Sequence, residues 1–210
     1  MKKKPFFYPL ARAICFVIFK LIYPTEVQNG KNLPQDKGMI VCSNHVSNMD
    51  PILINYSQNR MVLFMAKKEL FKNKLGAKII ESFGAFPVDR GNDGGKAIDS
   101  AKKLLDEDNC IGVFIEGTRS KTGELGRGHG GAILIAHQTN TPLVPCCITP
   151  RTGFLKPFRK NKITYGEPVT CEELGVVEGT NKEYREAAKR FMEILAEMRA
   201  KQREEFGSKR

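Results

Sequence analysis

Five short runs dominated by apolar residues, Met39–Cys42, Met61–Met65, Ile111–Ile115, Leu143–Ile148 and Lys162–Tyr165, punctuate a chain whose intervening segments carry helical spacing. Runs of this length, bounded by turn residues, suit strands buried on both faces. The helical stretches between them are Pro51–Tyr56, Leu70–Ser82, Gly95–Leu105 and Gly131–Gln138. Strands alternating with helices restrict the chain to an α/β architecture, a central mixed and mostly buried sheet flanked by helices. Over Lys182–Glu205 the apolar residues Tyr184, Ala187, Ala188, Phe191, Ile194, Leu195 and Met198 recur at helical steps. This predicts a closing amphipathic helix packed on the domain. With 210 residues, 41% of them hydrophobic, a single core can be filled, and no repeat or long linker divides the chain.

The N-terminal residues read as a separate segment. Phe6–Tyr23 is the most apolar part of the chain, yet Arg12 and Lys20 limit its uncharged runs to seven residues, against the roughly 20 needed to span a bilayer. Arg12 also interrupts the apolar stretch a signal peptide requires, and Tyr23-Pro24-Thr25-Glu26 lacks the small-residue cleavage pattern. On a helix, Lys4, Arg12 and Lys20 share an arc of about 160°, leaving Phe7, Leu10, Ile14, Val17, Ile18 and Leu21 to the remaining circumference. Such a helix lies in a membrane interface, its cations toward lipid phosphates and its apolar face among acyl chains. The alternative is a helix packed on the protein's own core, which has no need of the basic flank Lys2-Lys3-Lys4. The expected division is an interfacial helix over residues 1–25 and a folded body over residues 26–210.

The formal net charge of +11 calls for an anionic partner: nucleic acid, an acidic membrane surface or a phosphorylated substrate. The cations concentrate in two acid-free stretches, the first 25 residues and the segment Arg151–Lys162. Tryptophan is absent and no recognition motif is present. Nucleic acid is therefore not expected as a partner, since it would also leave the apolar N-terminal helix unexplained.

Two stretches carry the residue types of acid–base and phosphate chemistry. In Asn44-His45-Val46-Ser47-Asn48-Met49-Asp50-Pro51 a histidine at the end of an apolar strand precedes an aspartate by five positions. A continuous helix would set those side chains about 140° apart, so contact requires a turn between them. Asp50-Pro51 supplies one, with Asp50 expected as the N-cap of the following helix. Either Asp50 fixes one imidazole nitrogen and leaves the other to accept a proton, or Asp50 only caps the helix and His45 only satisfies a strand end.

Glu116-Gly117-Thr118-Arg119-Ser120 follows the strand Ile111–Ile115 and offers a tight turn, two hydroxyls and a guanidinium fork suited to phosphate. The alternative is a polar loop in which Glu116 and Arg119 pair with each other. Lys67, in Ala66-Lys67-Lys68, and Arg90, in Phe86-Pro87-Val88-Asp89-Arg90-Gly91, could complete a cationic pocket with Arg119, or could be a helix start and a surface charge. The six cysteines form no Cys-x-x-Cys pair and sit mostly in apolar surroundings, which reads as buried reduced thiols rather than disulfides or metal ligands.

In order, Asn44-His45-x4-Asp50-Pro51, Gly84-x-Phe86-Pro87-Val88-x-Arg90, Glu116-Gly117-Thr118-Arg119-Ser120 and Val144-Pro145-Cys146 resemble the four sequence blocks of the glycerolipid acyltransferases, closest to the bacterial 1-acyl-glycerol-3-phosphate acyltransferases. The resemblance covers roughly residues 38 to 150. It implies that 26–210 is an acyltransferase domain that moves a fatty acyl group from acyl-CoA or an acyl carrier protein thioester to the 2-hydroxyl of lysophosphatidic acid, forming phosphatidic acid. It implies His45 as general base, Asp50 as its orienting partner, and Lys67, Arg90, Glu116, Gly117, Thr118 and Arg119 as the acceptor-phosphate site. Val144 and Pro145 would shape a pocket.

No metal or cofactor is implied beyond the thioester donor. The expected location is the cytoplasmic face of a membrane, monotopic or peripheral. Ile115 departs from the proline common in the family at that position. Alternatives are glycerol 3-phosphate or another lysophospholipid as acceptor, or a cysteine hydrolase built on Cys42, which its apolar setting disfavours.

Overall fold

Met39–Ser43 is fully buried and becomes the strand from which the candidate histidine emerges. A computed structural model describes residues 8–30, 33, 37–88 and 94–208. The first half of the chain forms α1 (Tyr8–Ile22), β1 (Thr25–Gln28), β2 (Met39–Ser43), α2 (Asp50–Tyr56), β3 (Val62–Lys67), a 3-10 turn (Lys68–Phe71), α3 (Lys74–Ser82) and β4 (Ala85–Val88). The second half forms α4 (Gly94–Asp106), β5 (Cys110–Phe114), α5 (Gly131–Thr139), β6 (Leu143–Pro150), β7 (Asn161–Tyr165) and α6 (Asn181–Ser208). The strands make one sheet in the order β1-β7-β6-β2-β5-β3-β4. Neighbours are parallel except β6 and β7, so the sheet is mixed, as expected.

Side-chain alternation sorts each central strand between two layers. Ile40 and Cys42 of β2 pack with Ala101 and Leu105 of α4, Ile133 of α5, and Phe191 and Leu195 of α6. Met39 and Val41 point the other way, toward Leu53 and Ile54 of α2 and Phe64 of β3. Each such large apolar side chain contributes about 1.5–3 kcal/mol on burial. The closing helix α6 begins with a reciprocal cap: Thr180 N–H donates to Glu183 Oε2 at 2.9 Å, and Glu183 N–H to Thr180 Oγ1 at 3.3 Å.

Three local readings change. The single helix expected over Leu70–Ser82 is split, because Asn73 accepts the Gly76 N–H through Oδ1 at 3.3 Å and so starts a new helix. The strands β1 and β4 were not expected. Both lie at sheet edges, where the polar sequence Thr25-Glu26-Val27-Gln28 and the missing N–H of Pro87 are tolerated.

Helix α1 lays Phe16 and Phe19 on Tyr56, with ring centroids 6.4 and 5.8 Å apart, and Phe16 also meets Phe83 at 5.9 Å. Val17, Ile18 and Leu21 remain 50–70% exposed. No helix among the described residues is long and apolar enough to cross a membrane.

The parallel pairings bring the carboxyl ends of β2 to β6 to one edge of the sheet. From β2 the chain passes β5 to reach β3, whereas from β5 it passes β2 to reach β6. Connections thus leave the β2–β5 pair in opposite directions, which makes their carboxyl ends the topological switch point at which α/β sheets bind ligands.

Candidate active site

The exit from β2 is anchored before it reaches the histidine. Asn44 is fully buried, and its amide both donates to Ile148 O at 2.9 Å and accepts from Ile148 N–H at 2.8 Å, prolonging the β2–β6 ladder through a side chain. The next residue, His45, donates its N–H to Glu116 Oε1 at 3.0 Å. The chain then turns so that Asp50 Oδ2 lies 2.7 Å from His45 Nδ1. The same oxygen accepts the N–H groups of Val46 at 2.7 Å and Ser47 at 2.8 Å.

The Asp50 carboxylate therefore does not cap α2. Met49 occupies the N-cap position without a side-chain bond, and Asp50 stands in the first turn with its carboxylate directed back at the loop. Three donors converging on one oxygen outcompete the cap. Burial nevertheless pushes the Asp50 carboxyl above the usual carboxylate range, with the bonds from His45, Ser47 and Val46 pulling the other way. An ionised Asp50 assigns the proton to Nδ1 and leaves Nε2 of His45 as an acceptor.

The imidazole is also fixed from beneath. It stacks on Phe114 with centroids 3.9 Å apart and planes 9° from parallel, and Phe114 stacks on Phe64 at 5.3 Å. This column requires a glycine in the middle of β5, for a Cβ on Gly112 would lie 2.1 Å from the Phe64 ring.

The loop after β5 is stitched to the histidine loop. Glu116, 5% exposed, takes His45 N–H on Oε1 and Gly126 N–H on Oε2 at 2.8 Å. Gly117 turns with φ of 66°, a conformation that favours glycine, and Ser120 N–H donates to His45 O at 2.8 Å. Thr118 and Arg119 are consequently displayed to solvent beside the histidine loop. Glu116 and Arg119 do not pair: the Glu116 carboxylate faces inward and organises backbone, while the Arg119 guanidinium faces outward.

Lys67 ends β3 opposite Val88 of β4, at the same edge of the sheet, although its side chain is not among those described. Arg90 lies outside the described residues. Val144 and Pro145 are buried in β6 beside β2. Sequence reasoning passed over Phe114, Asn44 and Gly126. The signals available were an amide at the end of a fully buried strand, which must find partners, and the glycine-rich run Gly123–Gly131.

Cys42 is fully buried, and burial pushes its thiol well up. A thiolate there has no access to substrate, which removes the cysteine-hydrolase alternative. Cys146 and Cys147 are equally buried, with the Cys147 thiol raised to about 11 by desolvation.

The sequence and the fold have counterparts among known proteins. The acyltransferase family model matches residues 24–149, a range that contains both loops of the site. The chain belongs to the acyltransferase family. Over 157 residues this acyltransferase is 36% identical to the 1-acyl-sn-glycerol-3-phosphate acyltransferase of Bacillus subtilis, covering 73% of the chain and 77% of the relative. It is 28% identical to the enzyme of the same name from Streptococcus pneumoniae, covering 80% of the chain and 64% of that protein. Among solved structures it is similar to the 1-acyl-sn-glycerophosphate acyltransferase PlsC of Thermotoga maritima, with a TM-score of 0.62 and 25% identity over 93% of this chain and 84% of that one. The family match ends at Thr149, before β7 and α6, whereas the structural likeness extends over nearly the whole acyltransferase fold.

Proposed function

We propose that the protein transfers a fatty acyl group from an acyl thioester to the 2-hydroxyl of 1-acylglycerol 3-phosphate, forming phosphatidic acid for phospholipid synthesis. The observation that carries this reading is the 2.7 Å pair of His45 and Asp50 on a loop joined through Glu116 to the Gly117-Thr118-Arg119 turn. One loop can take a proton and its neighbour can hold a phosphate.

In the mechanism, Nε2 of His45 accepts the hydroxyl proton as the alcohol oxygen attacks the thioester carbonyl. The C–O bond forms, the tetrahedral oxyanion collapses, the C–S bond breaks, and the departing thiolate takes the proton back from the imidazolium. Asp50 holds Nδ1–H throughout. Base assistance of this kind contributes about 10²–10⁴-fold in rate. Arg119 and the hydroxyl of Thr118 engage the acceptor phosphate, with Lys67 and Arg90 completing the pocket, and the phosphate positions the hydroxyl at His45.

Acyl-CoA and acyl carrier protein thioesters both fit this scheme as donors. The reaction takes place at the cytoplasmic face of a membrane, with the exposed Val17, Ile18 and Leu21 of α1 as anchors.

The test is a liposome assay with labelled acyl thioester and lysophosphatidic acid, following phosphatidic acid and free thiol together. Equal amounts of both are expected. Thiol release without an acylated lipid would make the protein a thioesterase instead, and preference for glycerol 3-phosphate would move it to a different acceptor.

A further inference from the structure

We propose that the loop Arg151–Lys160 is a second membrane-contact element, which together with the end of α1 seats the active-site edge on an anionic bilayer. This rests on the lipid-acceptor reading above. Four of the loop's ten residues are cations, Arg151, Lys156, Arg159 and Lys160, all exposed, and none is acidic. It also presents Phe154, 38% exposed, and Phe158, 75% exposed. Bare aromatic rings set among cations match a surface of lipid phosphates over acyl chains.

The loop is built to hold that display. Arg151 N–H donates to Lys160 O at 3.1 Å, closing its base, and Phe158 N–H donates to Ile22 O at 2.6 Å, tying its tip to the last residue of α1. Phe158 adopts a left-handed backbone with φ of 59°, a strained choice for a bulky residue, and its ring remains in solvent. Arg151 and Lys160 also share a groove of about 630 Å³ with Val17, Lys20 and Leu21 of α1. Helix and loop therefore line one continuous groove, mainly basic and apolar, whose one acid, Glu26, lies 3.8 Å from Lys162 Nζ.

Topology places that surface at the chemistry. The loop leaves the carboxyl end of β6, the neighbour of β2, and Asn44 is bonded to Ile148 two residues before that end. The turn at Gly153 meets the glycine-rich segment that follows Arg119, with Gly153 O 2.6 Å from where a Gly123 Cβ would sit. A bilayer contacted by Phe158 is thus contacted at the same edge from which His45 and Arg119 project.

The test compares the full chain with a Lys156→Gln/Arg159→Gln/Lys160→Gln variant and with Phe158→Asn, a residue that accepts the left-handed backbone. The probes are vesicles of phosphatidylcholine with and without phosphatidylglycerol, read by sedimentation, beside acyl transfer to a dispersed short-chain acceptor. Loss of three cations is expected to lower partitioning onto anionic vesicles about 100-fold, and Phe158→Asn to lower it about tenfold on either vesicle, with transfer to the dispersed acceptor retained. Unchanged sedimentation of both folded variants would overturn the proposal. So would unchanged sedimentation with transfer lost only from a carrier-protein thioester, which would assign the loop to an acidic carrier protein. Because sedimentation needs no turnover, failure of the acyl-transfer reading shows separately, as absent product from the wild type.

Discussion

The imidazole of His45 lies flat on the Phe114 ring, with centroids 3.9 Å apart and planes within 9° of parallel. Stacking of this kind is worth about 0.5–1.5 kcal/mol, and here it restricts the ring rotation that the Asp50 bond alone leaves open. Phe114→Leu should retain the fold but lower kcat up to about tenfold with little change in acceptor KM. Steady-state kinetics on liposomes checks this, and an unchanged kcat would limit Phe114 to packing.

Asp50→Asn separates charge from shape, since the amide oxygen can still accept Val46 and Ser47 N–H. Turnover should fall about 100-fold, while His45→Ala should lose the base contribution entirely. The pH dependence of stability gives an independent check. Burial lifts the folded carboxyl above its ordinary 3.8, so the stabilisation is complete below the unfolded value and is lost as pH rises through the folded one. Relative to Asp50→Asn, wild-type stability in urea melts should therefore decline as pH rises above the ordinary carboxylate range. A difference that grows with pH would reverse the assignment.

Glu116→Gln places an amide donor against either His45 N–H or Gly126 N–H inside a buried site. The unsatisfied pair should destabilise the fold by about 1–3 kcal/mol, visible as a lower thermal midpoint, with kcat reduced because the His45 backbone loses its anchor. Full stability and activity in this variant would mean the carboxylate contributes nothing beyond filling space.

Arg119→Lys keeps the charge but loses the bidentate fork. Acceptor KM for lysophosphatidic acid should rise about tenfold, the equivalent of about 1.4 kcal/mol, and transfer to a neutral monoacylglycerol should be unaffected by the substitution. Equal effects on both acceptors would detach Arg119 from the phosphate.

What could be read directly from residues was what local pattern determines. Buried strands such as Met39–Ser43 and Leu143–Pro150 announce themselves because both faces are apolar. Edge strands do not: β1 exposes Glu26 and Val27, and β4 contains Pro87, so each resembles a loop until its neighbour is known. The spacing of His45 and Asp50 requires a turn for contact but leaves open whether Asp50 meets the imidazole or only caps α2; the structure gives the contact, with Met49 at the N-cap position. Which N–H groups Asp50 would accept was not, because this depends on how the loop folds back over the start of α2. The neighbours of Glu116 in the sequence suit a phosphate site or an ion pair, whereas its bonds to His45 and Gly126 have no sequence-local signature.

The bond from His45 N–H to Glu116 spans 71 residues, and the clamp of Asn44 on Ile148 spans 104. Contacts of such separation form only after the chain has met the entropy of closing large loops. A nascent chain extended as far as Thr139 would already contain every candidate catalytic and phosphate-binding side chain, yet would leave Asn44 unanchored. Catalytic competence should thus appear late in folding, with the pairing of β6, so that returning activity on refolding reports the completed sheet rather than any fragment of it.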